Sequence, residues 1–418
     1  MAGRIAVAHR VGFLAFPMIF AGPLLDIWGR KPVLQLAVAG CLAELSCYLG
    51  AAYTYSDRGL GSELHWLLPA GFFTGMTDAL DPAATSMVAD LSAPTADGRS
   101  AALSLFMVTR HISHMLGILG SSQIMRLHLG DYNLVWVSGL IFTTGLLFTA
   151  SFLLRETLAE DESNSNGCGG AVILAVSHRP TCGSCPPVCR PICTKFAEAF
   201  RFIWLDRFLL HFLLLRFTLA AGGAITHAVV EPFLVGHLGY PMHIAALGAG
   251  IFPCTMALGS GLYWVFAPRC GPFAMYGGGI LMVGLGFGLC GLAGPCSRFA
   301  DAAFWGGLVF AAFGNGMIDP TTYVITSLRA DPCTVGVVFT LLHALGTFGS
   351  IVGQLLTTQI LFDAQAQGWA ASLPLFISSA TMFLSLAWFV WAYTRSHPTL
   401  VFAEDNCDSS DSEESTFE

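Results

Sequence analysis

The chain has 418 residues, of which 54% are hydrophobic and only 11% are charged, with a formal net charge of −8. Soluble domains carry about 25% charged residues, so this composition excludes a soluble globular protein, and no basic stripe points to nucleic acid as a partner. The excess of acid lies in the C-terminal tail, where residues 404–418 hold seven acidic side chains. The net charge therefore says little about a substrate.

Eleven segments are long and apolar enough to cross a lipid bilayer as helices, which takes about 20 residues each. The sequence predicts an all-α integral membrane protein with spans at 8–24, 32–53, 65–90, 101–123, 132–154, 207–235, 243–266, 272–294, 302–327, 335–362 and 371–394. Arginine and lysine gather in the loops on one side. This bias predicts that this side and the C-terminus are cytosolic, in the plasma membrane or an organelle membrane.

A polar stretch divides the first five spans from the last six. We expect an N-terminal transmembrane bundle at 1–154, a cytosolic linker at 155–202, a C-terminal bundle at 203–395 and an acidic disordered tail at 396–418. Because the spans divide five to six, we expect twelve in the complete fold, with the first helix missing ahead of this sequence.

The linker contains the run CGSCPPVCRPIC, with four cysteines at Cys182, Cys185, Cys189 and Cys193. Four thiols suit a zinc ion, but the run lacks the separated pairs of a zinc finger. Lipidation of cysteines near a membrane is an alternative, as is a linker with incidental cysteines. We expect no cofactor.

The two halves of the chain repeat each other. The stretch DPAATSMVADLSAP (81–94) aligns with DPTTYVITSLRADP (319–332), so that the first aspartates of the two copies correspond. The opening stretch GPLLDIWGRKPVL (22–34) has a weaker copy, GLYWVFAPRCGP (261–272), at nearly the same offset. Repeats of this length predict two pseudo-symmetric helical bundles, a plan that occurs in membrane transporters.

The opening stretch resembles the signature of the major facilitator superfamily, G-x-L-x-D-x-x-G-R-K/R, which lies between the second and third helices of that family. VADLS (88–92) with Arg99 resembles the loop after the family's fourth helix, and FLLRETL (152–158) resembles the end of its sixth. The pattern is loosely similar to the proton-coupled folate transporter and tetracycline-exporter branches. The resemblance implies two bundles around a central cavity and transport by alternating access.

The resemblance also implies a conformational latch that joins the cytosolic ends of the two halves. Its candidate residues are Gly22, Asp26, Gly29, Arg30, Lys31, Asp90 and Arg99. The alternative is that the basic residues only follow the cytosolic bias of positive charge. That alternative does not explain Asp26 or the glycine spacing.

Ionisable side chains inside the membrane cost about 2.5–3.5 kcal/mol each on insertion scales, so each one is a candidate for function. The carboxylates and histidines among them are candidate proton sites, and Arg110 and Arg216 are candidate contacts for an anionic group. Structural alternatives are a helix break capped at Asp-Pro, and ion pairs such as Arg110 with Asp78 or Asp81. The candidates for the substrate and proton pathway are Asp78, Asp81, Arg110, His114, Arg216, His227, Glu231 and Asp319.

These features predict a transporter of a small organic solute that works by proton-coupled symport, with the bilayer and protons as its further partners. An anionic solute and facilitated uniport both stay open. A non-transporting receptor or scaffold, a drug–proton antiporter and an inactive truncated form stay open as well. No nucleotide-binding loop or nucleophile triad is visible in the sequence, so we do not expect an enzyme.

Overall fold

A computed structural model of the chain describes residues 21–58, 64–92, 95–127, 132–155, 157, 190–294, 299–330, 334–361 and 368–396. All regular elements in these residues are helices. The first half of the chain contains α1 (Gly22–Ile27), α2 (Arg30–Arg58), α3 (Leu64–Thr77), α4 (Leu80–Leu91), α5 (Ala96–Leu127) and α6 (Tyr132–Phe152).

A further helix, α7 (Arg190–Leu205), precedes the second half. The second half contains α8 (Arg207–Gly236), α9 (Met242–Cys270), α10 (Pro272–Leu292), α11 (Ala300–Arg329), α12 (Val335–Leu356) and α13 (Trp369–Ser396). A single π-helical turn, Thr357–Leu361, continues α12.

Eight stretches of the described residues are long and apolar enough to cross a membrane, and they lie in α2, α5, α6, α8, α9, α10, α12 and α13. The predicted span 302–327 lies in α11, which is long enough but more polar. The predicted span 65–90 is divided into α3 and α4, and most of the span 8–24 lies outside the described residues. The predicted all-α membrane fold is confirmed.

The two copies of the repeat differ in one local respect. In the first copy the chain turns at residues 78–79, and α4 then begins with Asp81 and Pro82 in its first turn. Proline is tolerated there because the first N–H groups of a helix have no intrahelical partner. In the second copy Pro320 lies inside the continuous helix α11. The same Asp-Pro step therefore interrupts one half and not the other.

The helices pack first within each half and then across the halves. In the first half α2 packs against α3 and α6, and in the second half α10 packs against α11 and α13, while α8 packs against α12 and α13. Across the halves α5 packs against α9 and α11, and α1 and α4 both pack against α12. These four contacts form the interface on which the candidate sites lie.

Part of the predicted linker is a packed helix. Residues 190–205 form α7, whose Ala199 and Ile203 are buried in the main core cluster. Cys182, Cys185 and Cys189 lie outside the described residues, as does the acidic tail. Cys193 belongs to the backbone of α7, but its side chain is outside the described part. Zinc binding, lipidation and an incidental role for the cysteine run therefore stay predictions.

Candidate functional site

The first candidate site joins the halves at one end of the molecule, through Asp26 at the end of α1. Its two carboxylate oxygens accept the backbone N–H groups of Gly336 and Val337, each at 3.1 Å, at the start of α12. The first N–H groups of a helix have no intrahelical partner and carry the positive end of the helix dipole. The carboxylate therefore binds the start of α12 through both hydrogen bonds and charge.

Arg30, at the start of α2, holds Asp26 in this position. Its guanidinium lies 3.0 Å from Asp26 Oδ1 and 3.0 Å from Asp90 Oδ2, and it also donates to the carbonyl of Leu25. The Arg30 side chain is 1% exposed, and this burial is tolerated because its donors meet two carboxylates.

The glycines of the opening stretch allow the close packing at this end. Gly29 has φ 96°, a backbone conformation that favours glycine, and it forms the turn between α1 and α2. A Cβ on Gly22 would lie 3.1 Å from the Cβ of Thr340 on α12, and a Cβ on Gly336 would lie 2.5 Å from Asp26 Oδ1. Glycine at these positions lets the two halves meet.

A second link between the halves lies nearby, because Arg99 at the start of α5 donates to the carbonyl of Ser327 near the end of α11. Lys31 is half-buried beside Arg30. The residues predicted for the latch thus lie together at one end of the molecule, which we call the charged end. It comprises Gly22, Asp26, Gly29, Arg30, Lys31, Asp90, Arg99 and Gly336.

The second candidate site lies about ten residues away along the helices, or ~15 Å at 1.5 Å per residue. Asp81 of α4 lies 3.0 Å from Arg110 Nη2 of α5, and 3.8 Å from His343 Nδ1 of α12. Asp81 therefore meets an arginine of its own half and a histidine of the other half. The contact with Arg110 is within hydrogen-bond distance, and the contact with His343 is longer.

Asp319 of α11 repeats this arrangement with the halves exchanged. It lies 3.9 Å from Arg216 Nη1 of α8, in its own half, and 3.7 Å from His111 Nε2 of α5, in the other half. The two aspartates correspond in the internal repeat. The pseudo-symmetry of the sequence thus appears as two reciprocal aspartate–histidine contacts across the interface.

These contacts close into a ring. Arg110 and His111 are neighbours on α5, and Arg216 packs against Gly346, one turn beyond His343 on α12. Tyr323, one turn beyond Asp319, lies beside Arg110 and interacts electrostatically with both aspartates and both arginines. We call this ring the central cluster, and it comprises Asp81, Arg110, His111, Arg216, Asp319, Tyr323 and His343.

Asp78 and His114 lie at the margin of the central cluster. Asp78 interacts electrostatically with Asp81 and with Glu44 of α2, and within the described residues its Oδ2 atom has no hydrogen-bond partner. Glu44 accepts hydrogen bonds from Thr74 and Thr77 at 2.8 and 2.9 Å. His114 is exposed on α5, one turn beyond Arg110.

Three predicted candidates, Arg216, His227 and Glu231, share α8 but are not brought together among the described side chains. Arg216 belongs to the central cluster, whereas His227 is exposed, with its ring centroid 5.0 Å from that of Phe252. The backbone of Glu231 lies in α8, and its side chain is outside the described residues. Their spacing of eleven and four residues along one helix is therefore not accompanied by a common partner among the described side chains.

The central cluster includes three residues that are absent from the eight named candidates for the substrate and proton pathway, namely His111, Tyr323 and His343, although the membrane histidines were grouped with the candidate proton sites. The sequence contains a signal for two of them, since His111 follows Arg110 directly and Tyr323 lies four residues after Asp319. His343 is the one ionisable residue of its span, and its contact with Asp81 depends on the packing of α12. The ion pair between Arg110 and Asp81 was one of the predicted structural alternatives.

Comparison with solved structures returns proteins of one architecture. The human organic anion transporter MFSD10 (TETRAN) is 19% identical with a TM-score of 0.64, over 93% of this chain and 83% of that one. The E. coli fucose:proton symporter FucP is 15% identical with a TM-score of 0.64, over 93% and 90% of the two chains. The proton:xylose symporter XylE is 14% identical with a TM-score of 0.66, over 94% and 85%. At these identities the likeness concerns the fold.

A model of the Major Facilitator Superfamily matches residues 2–353 of the chain. No curated protein sequence gives a match. The match spans both halves, including the charged end and most of α12. The chain belongs to the major facilitator superfamily, and is a multi-pass membrane transporter.

Proposed function

We propose that the protein is a proton-coupled symporter of a small organic solute, with its solute and proton sites in the central cluster. The observation that carries this proposal is the pair of repeat-related aspartates, each in contact with a histidine of the opposite half. Proton transfer to or from Asp81 or Asp319 changes the charge at the place where the halves meet. It therefore changes the relative stability of the arrangements between which the halves move.

Buried carboxylates are suited to this role because they bind and release a proton and are costly to keep charged inside a membrane. Asp81 and Asp319 are partly exposed, at 17% and 18% of their side-chain surface, so a proton can reach them. The charged and titratable groups around them lie on six elements: Asp78 in the turn before α4, Arg110, His111 and His114 on α5, Arg216 on α8, Tyr276 on α10, Tyr323 on α11 and His343 on α12.

We also propose that the charged end is a latch that holds the halves together in the outward-facing state. Asp26 supports this role because it binds the start of α12 only while α1 and α12 are in contact. Opening towards the cytosol would break these two hydrogen bonds and the bond from Arg99 to Ser327. When the solute site instead opens at the opposite end of the molecule, these three hydrogen bonds stay intact.

Uptake of a mixed metabolite panel by cells that express the full chain tests the symport proposal. Uptake would be measured by mass spectrometry in acidic and in neutral external medium, for the wild type, Asp319→Asn and Asp301→Asn. Asp301 is exposed in the first turn of the same helix, α11, and provides a matched control. We expect uptake that rises in acid, is lost in Asp319→Asn and survives in Asp301→Asn.

Uptake that is equal in both media and unchanged in Asp319→Asn would contradict proton coupling and favour facilitated uniport. No uptake of any solute by wild-type protein inserted in the membrane would contradict transport by this chain. A receptor or scaffold role would then be the better explanation.

A further inference from the structure

The central cluster contains two guanidinium groups, one from each half of the molecule. Arg110 of the first half has 42% of its side-chain surface exposed, and Arg216 of the second half has 25%. Both lie at membrane depth, where an arginine is costly unless it has a function or a complete set of partners. The N–H donors that these two guanidiniums do not use within the protein therefore indicate which kind of solute they bind.

Neither guanidinium has its donors used up within the described residues. A guanidinium carries five N–H donors. Arg110 pairs with Asp81 at 3.0 Å, directs one donor at the sulfur of Met107 at 3.7 Å, and interacts with Tyr323. Arg216 lies 3.9 Å from Asp319 and makes no hydrogen bond within the described part of the chain. Accessible donors remain on both sides of the interface.

The ring of contacts brings the two guanidiniums within the span of one small molecule. Asp319 lies between the two arginines on one side of the ring. It is 3.9 Å from Arg216 and 3.7 Å from His111, which is the chain neighbour of Arg110. On the other side of the ring Arg216 packs against α12, one turn from the histidine that contacts Asp81. Both sides of the ring therefore connect Arg110 to Arg216.

We infer that the solute of the central cluster is an organic dianion, with one anionic group on Arg110 and the other on Arg216. Planar carboxylates and guanidiniums form paired hydrogen bonds, so each end of such a solute matches one arginine. Asp81 and Asp319 are the counter-ions that the solute replaces. This inference rests on the proposed function, because in the symport both aspartates receive protons as the solute binds.

A dianion also explains how binding would drive the movement of the halves. A ligand shifts a conformational equilibrium only if it binds the states with different affinities. A solute with a single anionic group is satisfied by one arginine, and thus by one half alone. A solute that joins Arg110 to Arg216 binds best when the two halves are correctly spaced, so its affinity depends on their arrangement.

Binding to the purified full-length protein in lipid nanodiscs tests the inference without requiring transport. The probes would be a length series of α,ω-dicarboxylates, each compared with the monocarboxylate and the diol of the same chain length, by isothermal titration calorimetry. We expect at least one dicarboxylate to bind about tenfold or more tightly than its matched monocarboxylate, the effect of one additional charge-assisted contact of about 1.4 kcal/mol. The diol should show no binding.

Substitution then assigns the preference to the two arginines. In Arg110→Gln and in Arg216→Gln, the dicarboxylate should bind no more than about twofold more tightly than the monocarboxylate, since one of its ends has lost its partner. Arg395→Gln is the control, because Arg395 lies at the end of α13 against the ring of Trp391, far from the cluster. If a glutamine variant does not fold, lysine at the same position keeps the charge but loses the forked geometry, and should reduce the preference.

Equal binding of the dicarboxylates and monocarboxylates, or no binding of any dicarboxylate, would overturn the inference. So would a preference that survives in both arginine variants. Uptake of an uncharged solute by the wild type would leave the symport standing and refute the dianion. Selective dicarboxylate binding without any uptake would support the dianion and refute the symport.

Discussion

Asp26 and Asp81 are aspartates of the same half that meet the same helix, α12, with different partners. Asp26 accepts two backbone N–H groups at 3.1 Å and pairs with Arg30 at 3.0 Å. Asp81 faces a titratable histidine of α12 at 3.8 Å, beyond hydrogen-bond distance. The Asp26 contact combines several short bonds, which must form or break together. The strength of the Asp81 contact depends on the protonation of the aspartate and the histidine.

The contact of Asp26 with α12 predicts the effect of a single methyl group. A Cβ on Gly336 would lie 2.5 Å from Asp26 Oδ1, so Gly336→Ala should displace the carboxylate and weaken two charge-assisted hydrogen bonds, worth about 1.5–3 kcal/mol each. The labelling rate of a cysteine introduced at Thr340, which is 1% exposed, reports the separation of the halves. We expect labelling about tenfold faster or more in Gly336→Ala.

Gly278→Ala is the matched control for this experiment, because a Cβ on Gly278 would have no neighbour within 4 Å. Labelling at Thr340 in this variant should equal that of the parent. An unchanged rate in Gly336→Ala would show that Asp26 does not hold the halves together.

Among the elements, α9 and α11 show how closely the helices of the second half pack. A Cβ on Gly316 of α11 would overlap the backbone of Met256 on α9, and a Cβ on Gly259 of α9 would overlap the backbone of Phe313 on α11. Membrane helices associate through such small residues, since lipid offers no hydrophobic driving force between them. The Ser260 hydroxyl also donates to the Gly316 carbonyl at 2.7 Å.

Gly316→Ala should therefore destabilise the second half. Because the obstacle is backbone and not a flexible side chain, the helices must separate, at a cost of about 1–3 kcal/mol or more. Thermal unfolding of the purified protein measures the effect as a lower midpoint. Gly306→Ala, on the same helix but with no neighbour within 4 Å, should leave the midpoint unchanged or slightly raise it. Equal midpoints for the two variants would refute the packing explanation.

For the whole molecule, α1 and α12 must separate if the halves alternate in opening. A Cβ on Gly22 would lie 3.1 Å from the Cβ of Thr340, slightly closer than the ~3.5–4.5 Å usual across a disulfide. Cysteines at both positions should therefore form a disulfide under mild oxidation, with a small local shift. We expect uptake to stop on oxidation and to return on reduction, as measured with any solute identified by the metabolite panel.

Each single cysteine variant, treated with the same oxidant, controls for effects on the native cysteines of the chain. Undiminished uptake by a fully cross-linked double variant would mean that transport does not require the charged end to open. The latch proposal would then fail, while the superfamily fold would stand.

Much of the architecture could be predicted because its causes are local in the sequence. The length of an apolar run is enough to predict a membrane helix, and the resemblance of residues 22–34 to the superfamily signature implied a contact between the halves at Asp26 and Arg30. The offset between Asp81 and Asp319 likewise reveals the repeat without any knowledge of contacts. Asp26 and Arg30 form an ion pair beside the Gly29 turn, within the signature, and Arg99 binds the carbonyl of Ser327. Their role as a latch stays a prediction.

Two features of the helices could not be predicted from the sequence in full, because they depend on tertiary packing. The sequence does not determine whether an Asp-Pro step breaks a helix, since one copy begins α4 and the other lies within α11. Residues 190–205 carry a signal that the predicted linker overlooked, since Ile192, Phe196, Ala199 and Ile203 recur at the spacing of an amphipathic helix. Only the fold shows that this helix packs on the core.

An all-α membrane transporter built from two related halves can be recognised from the chain alone, because hydropathy, charge bias and repeat are properties of the chain. The contacts of His343 with Asp81 and of His111 with Asp319 form only when the helices pack. The face that a membrane helix turns inward is set by its packing against helices of the other half. In α12 the polar residues recur every three or four positions and mark one face in the sequence, at Thr340, His343, Thr347, Ser350 and Gln354. This periodicity does not say which residue of the first half His343 contacts. The contacts between the halves at the central cluster are therefore visible only in the folded molecule.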